Sequence, residues 1–494
     1  MKIKIFENNQ FITEENIGNK AKHFYIGVGR ILTTYYQDLM YDKEEKEVEI
    51  KTTKGNALYT LKKTSYSLRI FERENNIVFN EPLDFDKKYH LEMIGIEHNN
   101  YKYYDLEKIG LNEVTATWGR IAPRTESHLR KPYTYQQAYM KLGEKLAKGY
   151  KDMTFKIEEK QIKKVSESFS MEDTLNGEIK KDSTLSTVSE RLYAQLLDFS
   201  KKMIRRTFQT EIVVTETMVR KAKTLYNKLL KQKTVEEFNE VLQEIMLLAP
   251  RKIDYMNGEK VKDYIAQRTE DFARIIDREE TILNSLQVIN LSHKKDKKTT
   301  SPLDFPTDIR VEMATDKERR EVLSYLDSHL KAKVKNVYHV ESLTQKQKYD
   351  LYVKEHNIHE FKNLWHGSKN ENWLSIILNG LSLNPNAEIT GKMLGNGIYF
   401  ALESDKSYGY TSGGRWNNQY STTRFMGLYE CAYGNPLKHK GGFNHFTKEE
   451  LDRMNKNCVH ALGRNHGGNT LYRDEIVFFD ESAINLNYIV EFED

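Results

Sequence analysis

The alternation of apolar and polar positions changes character several times along the chain, and each change predicts a different architecture. Residues 1–90 set short apolar runs (KIKIF, HFYIGVGRIL, EVEIKTT, YSLRIF, NIVF) between polar turns, which predicts a small β-rich module. From 91 to 152, NNYKYYDLEKI and NEVTATWGRIAPR read as strands and YTYQQAYMKLGEKLAKGY as a basic amphipathic helix, a small α+β domain. Residues 153–186 are charged, rich in Ser and Thr and without apolar periodicity, as expected of a linker.

Helical spacing takes over at 187–290. Thr187 and Glu190 form a capping box ahead of Leu192, Leu196, Phe199 and Met203, which share one face. Met218, Ala222, Leu225 and Leu229 make a second stripe. Thr234 and Glu237 open a third helix, carrying Phe238, Val241, Leu242 and Ile245, that should end by Pro250. A longer stripe runs from Val261 through Leu286. Such helices can bury their apolar faces only against one another, so an all-α antiparallel bundle is predicted. From 301 to 494 a helix over DKERREVLSYLDSHL is followed by strand-like runs NVYHVE, LWHG, GIYF, EIVFF and NYIVEF. Few long helices separate them, which favours an antiparallel-sheet α+β domain over a doubly wound one. The fold class is therefore multidomain α+β.

Composition narrows the cellular setting. With 494 residues, 38% hydrophobic and 30% charged, the chain describes soluble globular units. No apolar run approaches bilayer length, and MKIKIFENNQ lacks a signal-peptide core, so an intracellular protein with no membrane partner is expected. The abundance of Lys, Asn, Ile and Tyr suggests an AT-rich genome, and both a nuclear eukaryotic protein and a bacterial cytoplasmic one would suit. Cys431 and Cys458 are the only cysteines, which argues against a disulfide framework and against a Cys/His finger. No metal is expected. A net charge of +4 is nearly balanced, so nucleic-acid affinity would have to come from local patches. HKKDKK, from His293, reads as a solvated hinge, with a nuclear-import signal as the alternative.

Chemistry concentrates in NLWHGS…TGKMLGNGIYFALESDKSYGY, residues 363–410, and in LYRDEIVFF near the C-terminus. A β-like run puts His366 at a strand end, Gly367 lets a ligand approach the backbone, and the Gly-flanked GNGIYF presents Tyr399. Asp474 and Glu475 both precede an apolar strand, and alternation along that strand lets only one of them face a pocket. His-Gly-Ser, then Gly-x-Gly-Ile-Tyr-Phe, then Lys-Ser-x-x-Tyr, then a Glu opening an apolar strand resembles the catalytic domain of poly(ADP-ribose) polymerases.

That resemblance implies an ADP-ribosyltransferase fold, NAD+ as substrate and release of nicotinamide. Cleavage of the nicotinamide–ribose bond leaves positive charge on the anomeric carbon and ring oxygen, so the site must hold the ring and present negative charge. By resemblance Glu475 takes that task, bonding the ribose 2′-hydroxyl and orienting the acceptor hydroxyl in a general-base-like role. His366 meets ribose hydroxyls, the Gly367 backbone meets the nicotinamide carboxamide, and Ser368 contacts the adenosine ribose. Tyr399 and Tyr410 sandwich the nicotinamide ring, Ser407 bonds its amide oxygen, and Lys406 lies near the acceptor; Tyr408 is a decoy for Tyr410. The set His366, Tyr399 and Glu475 is associated with polymer-forming members. NHGGNT between CVHALGR and LYRDE is short, as is NPNAEITGKM, which leaves elongation and acceptor preference open and keeps a mono-ADP-ribosyltransferase as the alternative.

Trp118-Gly119-Arg120, with its preceding strand and following helix, resembles the WGR domain of DNA-dependent members. An indole can stack on a sugar or base at a strand end while Arg120, Arg124, Arg130 and Lys131 meet phosphates. The resemblance implies that Trp118 packs on the terminal nucleotide and that Arg120 bridges to a helical regulatory domain, here residues 187–290. That domain would block access to NAD+ until DNA loosens it, although this bundle is shorter than usual. A core Trp beside a solvated basic helix is the competing reading. The implied partners are DNA ends or strand breaks, protein acceptors including the chain itself, and an accessory factor at the acceptor site. A DNA-end-binding scaffold with a vestigial catalytic domain is the non-enzymatic alternative. Residues 1–90 read as an accessory or protein-interaction domain, with a basic β surface for nucleic acid as the sharper option.

Overall fold

The computed structural model describes residues 1–36, 45–63, 68–95, 100–120, 129–156, 187–208, 214–249, 251, 264–294, 304–383, 393–413 and 421–493. The chain forms two compact units, Met1–Ser168 and Phe169–Asp494.

In the first unit, β1 (Lys2–Glu7), β2 (Gln10–Asn16), β3 (Lys46–Thr52), β4 (Gly55–Lys63) and β5 (Leu68–Asn75) form a sheet in the order β2-β1-β3-β4-β5. A second sheet joins β6 (Tyr89–Gly95), β7 (Asn100–Gly110), β8 (Glu113–Arg120), β9 (Leu129–Tyr133) and β10 (Lys151–Asp152) in the order β10-β6-β7-β8-β9. Helices α1 (Ala21–Tyr36) and α2 (Tyr135–Ala147) pack on each other. A Cβ added at Gly29 would lie 2.1 Å from the Met140 carbonyl oxygen, and one at Gly143 2.0 Å from that of Ile26. Two glycines thus let the helix backbones touch. The run HFYIGVGRIL, expected as β-rich, lies within α1: Phe24, Tyr25, Val28, Ile31 and Leu32 bury one helical stripe against α2 and the sheets, and this packing overrides β propensity. Ile3, Leu32 and Tyr59 share one core with Tyr104, Ala116 and Tyr139, so residues 1–90 and 91–152 do not form separate compact bodies.

The expected linker also begins later than 153. The Met153 N–H donates to the His90 carbonyl (2.8 Å), and Thr154 Oγ1 accepts from the His90 N–H (3.1 Å), which fastens this stretch to β6. The remainder of the linker, 157–186, lies outside the described residues.

The second unit opens with α3 (Val188–Thr207), α4 (Glu216–Leu229), α5 (Val235–Leu248) and α6 (Phe272–Lys294). The capping box at Thr187 forms reciprocally: the Glu190 N–H donates to Thr187 Oγ1 (3.1 Å) and the Thr187 N–H to Glu190 Oε2 (3.0 Å). On α4 the buried stripe uses Tyr226 where Leu225 was expected. The last helix starts at Phe272 after a turn at Thr269–Asp271, later than the stripe from Val261 suggested; residues 261–263 lie outside the described residues. Arg251 and Glu279 meet at 2.5 Å with both side chains 1% exposed, and the Arg251 guanidinium lies 4.9 Å from the Phe208 ring centroid.

The strands that follow are β11 (Ile309–Met313), β12 (Val334–Ser342), β13 (Lys362–Gly367), β14 (Ile398–Phe400), β15 (Thr423–Cys431), β16 (Pro436–His439), β17 (Cys458–Ala461), β18 (Glu475–Phe478) and β19 (Ile484–Glu493). They make a sheet ordered β11-β12-β19-β15-β13 and a smaller one ordered β14-β18-β17-β16. Pairing is antiparallel apart from β16 with β17, which is parallel. Trp365 and Ala401 exchange backbone hydrogen bonds (2.9 and 3.0 Å) and tie the two sheets together. The bundle shares the larger core: Leu192, Leu196, Ile282 and Leu286 cluster with Trp373, Phe400, Phe425 and Ile489. Among the described residues no helix is long and apolar enough to cross a membrane.

Candidate active site

The meeting of the two sheets brings four separated stretches of sequence together. β13 ends in His366-Gly367, β14 carries Tyr399, the short helix Ser404–Tyr408 carries Lys406 and Ser407 with Tyr410 just beyond it, and β18 begins with Glu475. β14 pairs with β18 so that Tyr399 lies opposite Val477. A Cβ at Gly397 would fall 2.2 Å from Val477 Cγ1, so only a glycine lets the strand GNGIYF sit this close to β18.

His366 Nδ1 is 3.0 Å from the Tyr399 carbonyl oxygen. A carbonyl only accepts, so Nδ1 carries the proton, and in the neutral ring Nε2 is the acceptor. That acceptor suits a ribose hydroxyl. At Gly367 a side chain is excluded: a Cβ would stand 1.9 Å from the Ser407 carbonyl oxygen and 3.3 Å from Tyr410 Cβ. Ser368 Oγ accepts from Asn372 Nδ2 (3.1 Å). Ser407 is buried and its hydroxyl donates to the Trp365 carbonyl (2.8 Å), so donating to a carboxamide oxygen would require that hydroxyl to turn.

Tyr399 spends its hydroxyl on the preceding turn, accepting from the Leu394 N–H (3.0 Å) and donating to the Gly395 carbonyl (2.9 Å). Tyr410 is 46% exposed. Burial raises both phenols, and the negative charge of Glu475 adds to the rise in each. Both tyrosines therefore sense the Glu475 carboxylate.

Glu475 Oε1 lies 2.8 Å from Lys406 Nζ, with the two side chains 13% and 14% exposed. The ammonium also donates to the Arg473 and Asp474 carbonyls (3.0 and 3.3 Å), so it is held by three groups around the strand start. The carboxylate is thereby oriented without being consumed, since a carboxylate accepts several hydrogen bonds. Asp474, one residue earlier, turns the other way. It accepts from the Gly463 N–H (2.6 Å), His460 Nε2 (2.8 Å) and His466 Nδ1 (2.9 Å). Burial works to raise its carboxyl, but these donors outweigh it and keep the group below the usual carboxylate range. Tyr433 closes the network through His460 Nδ1 (2.7 Å). Sequence reasoning missed this cluster; its only local sign was a second carboxylate beside the expected one.

Three contacts seat the helical bundle beside this site. Lys369, just after His366-Gly367-Ser368, pairs with Asp277 of α6 at 2.7 Å. Ser200 of α3 donates to the Glu371 carbonyl (3.1 Å), and Gln195 donates to Glu491 (3.1 Å). Among the described residues no group of three His, Cys, Asp or Glu side chains could hold a metal ion.

The residues expected to face nucleic acid lie in the first unit. Trp118, half-buried on β8, stacks on Tyr104 with ring centroids 5.6 Å apart and planes 21° from parallel. Arg120, Arg130 and Lys131 are exposed, and Arg124 lies outside the described residues.

Residues 316–494 match the poly(ADP-ribose) polymerase catalytic domain family. Poly [ADP-ribose] polymerase 2 of Homo sapiens is 43% identical over 79 residues, 16% of this chain and 13% of that protein. Poly [ADP-ribose] polymerase 1 of Gallus gallus is 26% identical over 214 residues, 37% of this chain and 20% of its own length. The Danio rerio poly [ADP-ribose] polymerase 1 is 27% identical over 259 residues, 46% of this chain and 25% of that protein. The aligned segments thus span about a quarter or less of these relatives.

Proposed function

Through residues 316–494 the chain belongs to the poly(ADP-ribose) polymerase family, and from that premise we propose that it transfers ADP-ribose from NAD+ to protein acceptors, releases nicotinamide, and does so under the control of DNA strand breaks. The observation that carries the chemistry is the pairing of Glu475 with Lys406, with Asp474 turned to its own partners. One oriented carboxylate is thereby available to the sugar.

In this reading the Gly367 backbone holds the carboxamide, Tyr399 and Tyr410 flank the ring, and His366 Nε2 accepts from a ribose hydroxyl. Glu475 stabilises the charge that develops on the ribose as the glycosidic bond lengthens, and it orients the acceptor hydroxyl for attack. Electrostatic preorganisation of this kind lowers the barrier because the dipoles are already in place. Lys406 keeps the carboxylate aimed and takes the expected acceptor-side position. A polymer is the product expected of the His366, Tyr399 and Glu475 set.

Control would come from the bundle. Lys369 with Asp277 and Ser200 with Glu371 support this, because they lock α6 and α3 to the turn that follows the substrate-binding residues. Loosening either helix would free that turn. Trp118 with Arg120, Arg124, Arg130 and Lys131 supplies the DNA-end contact in the same reading, the chain itself is among the acceptors, and an accessory factor completes the acceptor site. The setting would be the nucleus of a eukaryote or the cytoplasm of a bacterium.

A mono-ADP-ribosyltransferase is the second reading, favoured by the compact 462–474 connection that Asp474 pins at Gly463 and His466. The deciding experiment incubates full-length protein with labelled NAD+, with and without nicked or blunt duplex. A DNA-dependent ladder is expected. One sharp modified band would establish mono-transfer, and intact NAD+ under every condition would leave an end-binding scaffold.

A further inference from the structure

A cleft of about 380 Å³ lies between α3 of the bundle and the catalytic domain, and none of His366, Tyr399, Tyr410 or Glu475 lines it. Its bundle wall presents Lys202, Arg206 and the ring of Phe199. Opposite stand Ser412, Ser421 and Thr423.

That second wall is already built. The Asn370 N–H donates to Ser412 Oγ (2.8 Å), and Asn370 Nδ2 donates to Ser421 Oγ (3.2 Å) and to the Thr423 carbonyl (2.8 Å). Asn370 is 1% exposed, and its Oδ1 has no hydrogen-bond partner among the described residues. A wall fixed in this way loses little conformational freedom when a ligand enters. Its volume falls in the range of small-molecule pockets.

The charges define the ligand. Lys202 and Arg206 are exposed cations one helical turn apart on α3; Lys202 also meets Asp198 at 2.6 Å, and Glu371 is the lone acid of the lining among the described residues. The guanidinium and ammonium donors of α3, facing a wall whose Ser421 hydroxyl already donates to the Thr423 carbonyl (2.6 Å), match the acceptor oxygens of a phosphate. Phe199 offers an apolar face beside them. We propose that this cleft binds a phosphate ester of mononucleotide size, with the phosphate between Lys202 and Arg206 and the nucleoside toward Phe199. The occupant touches both α3 and the Asn370–Glu371 turn, so it favours the arrangement in which the bundle is seated. Binding stands independently of the proposed transferase activity; the effect on activity rests on it.

The test titrates the full-length chain by calorimetry with AMP, inorganic phosphate and adenosine, alongside Lys202→Glu/Arg206→Glu. Both side chains are exposed, and an unchanged melting temperature shows that the variant folds. AMP should bind at least tenfold more tightly than adenosine or phosphate, and the double variant should lose at least tenfold of that affinity. Equal affinity for AMP and adenosine would overturn the phosphate assignment, and AMP no tighter than phosphate would overturn the nucleotide-sized occupant. AMP binding that survives the double variant and is lost in His366→Ala belongs to the catalytic cleft and overturns the site. NAD+ consumption, measured in parallel, should fall as AMP fills the wild-type cleft and stay constant in the double variant. Intact AMP binding without that fall would count against the gating reading and leave the binding site standing.

Discussion

The surroundings of Glu475 and those of Trp118 are built on opposite plans. Around Glu475 each charge has a fixed partner: Lys406 meets Glu475 at 2.8 Å, Asp474 accepts from Gly463, His460 and His466, and Arg473 pairs with Glu403 (2.8 Å) and Asp405 (2.9 Å). Around Trp118 the fixed part is aromatic. Its ring stacks on Tyr104, and Lys145 places its ammonium 4.4 Å from the centroid of that tyrosine, with burial pulling the lysine down to about 8. The cations Arg120, Arg130 and Lys131 are left exposed. A chemical step needs groups held in position, whereas a phosphate backbone needs only positive charge near a stacking surface. The first region should respond sharply to single atoms, the second gradually to salt.

The largest effect is expected at Glu475. Glu475→Gln keeps shape and removes charge, and kcat should fall by roughly 10²–10⁴-fold while NAD+ affinity changes little; near-normal polymer from this variant would refute the assignment. Next is the buried pair in the bundle. Glu279→Gln leaves Arg251 buried and without its countercharge, which should destabilise the bundle by about 3–5 kcal/mol in chemical denaturation. The same variant should raise DNA-independent NAD+ consumption; unchanged basal activity in a destabilised bundle would break the link between gate and site.

Trp118→Ala should weaken binding to a blunt duplex by about 1–3 kcal/mol, the worth of one stacked base. Activity of a DNA-free sample should not move, and fluorescence anisotropy together with product gels distinguishes the two. Asp474 provides a pH test. Its carboxyl is held low in the folded chain, so its stabilising contribution is full above the unfolded value near 4 and is lost as pH falls through the lower folded value. Asp474→Asn should cost about 1–3 kcal/mol at neutral pH and flatten the acid limb of the stability curve; an acid limb identical to wild type would show that Asp474 does not carry it. Smallest is Lys131→Ala, expected to reduce the slope of log affinity against log salt by about one. An unaltered slope would remove Lys131 from the phosphate-facing set.

The candidate site was legible where function depends on local spacing. His366-Gly367 at a strand end, Tyr399 between glycines and Glu475 ahead of IVFF could each be read because strands alternate and glycines mark close approach. The helix starts at Thr187 and Thr234 were equally visible, since a cap is made by residues three apart. α1 was misread because its Val, Ile, Phe and Tyr content favours a strand; Gly29 did not signal that α2 would pack against it. Ser407, on the short helix Ser404–Tyr408, was assigned a ligand, and the Trp365 carbonyl that takes its proton comes from β13, far away in the sequence.

The sequence alone therefore determined the order of the candidate side chains, the helix caps and the strands that carry His366, Tyr399 and Glu475. Only the tertiary structure decided which carboxylate faces Lys406, where Asp474 finds its histidines, how Lys369 reaches Asp277, and that residues 1–90 share a core with the domain behind them. Local patterns report what a residue and its near neighbours prefer. Those four outcomes depend on groups far apart in the chain, whose meeting is set by the packing of whole sheets and helices and leaves no periodic trace in the sequence.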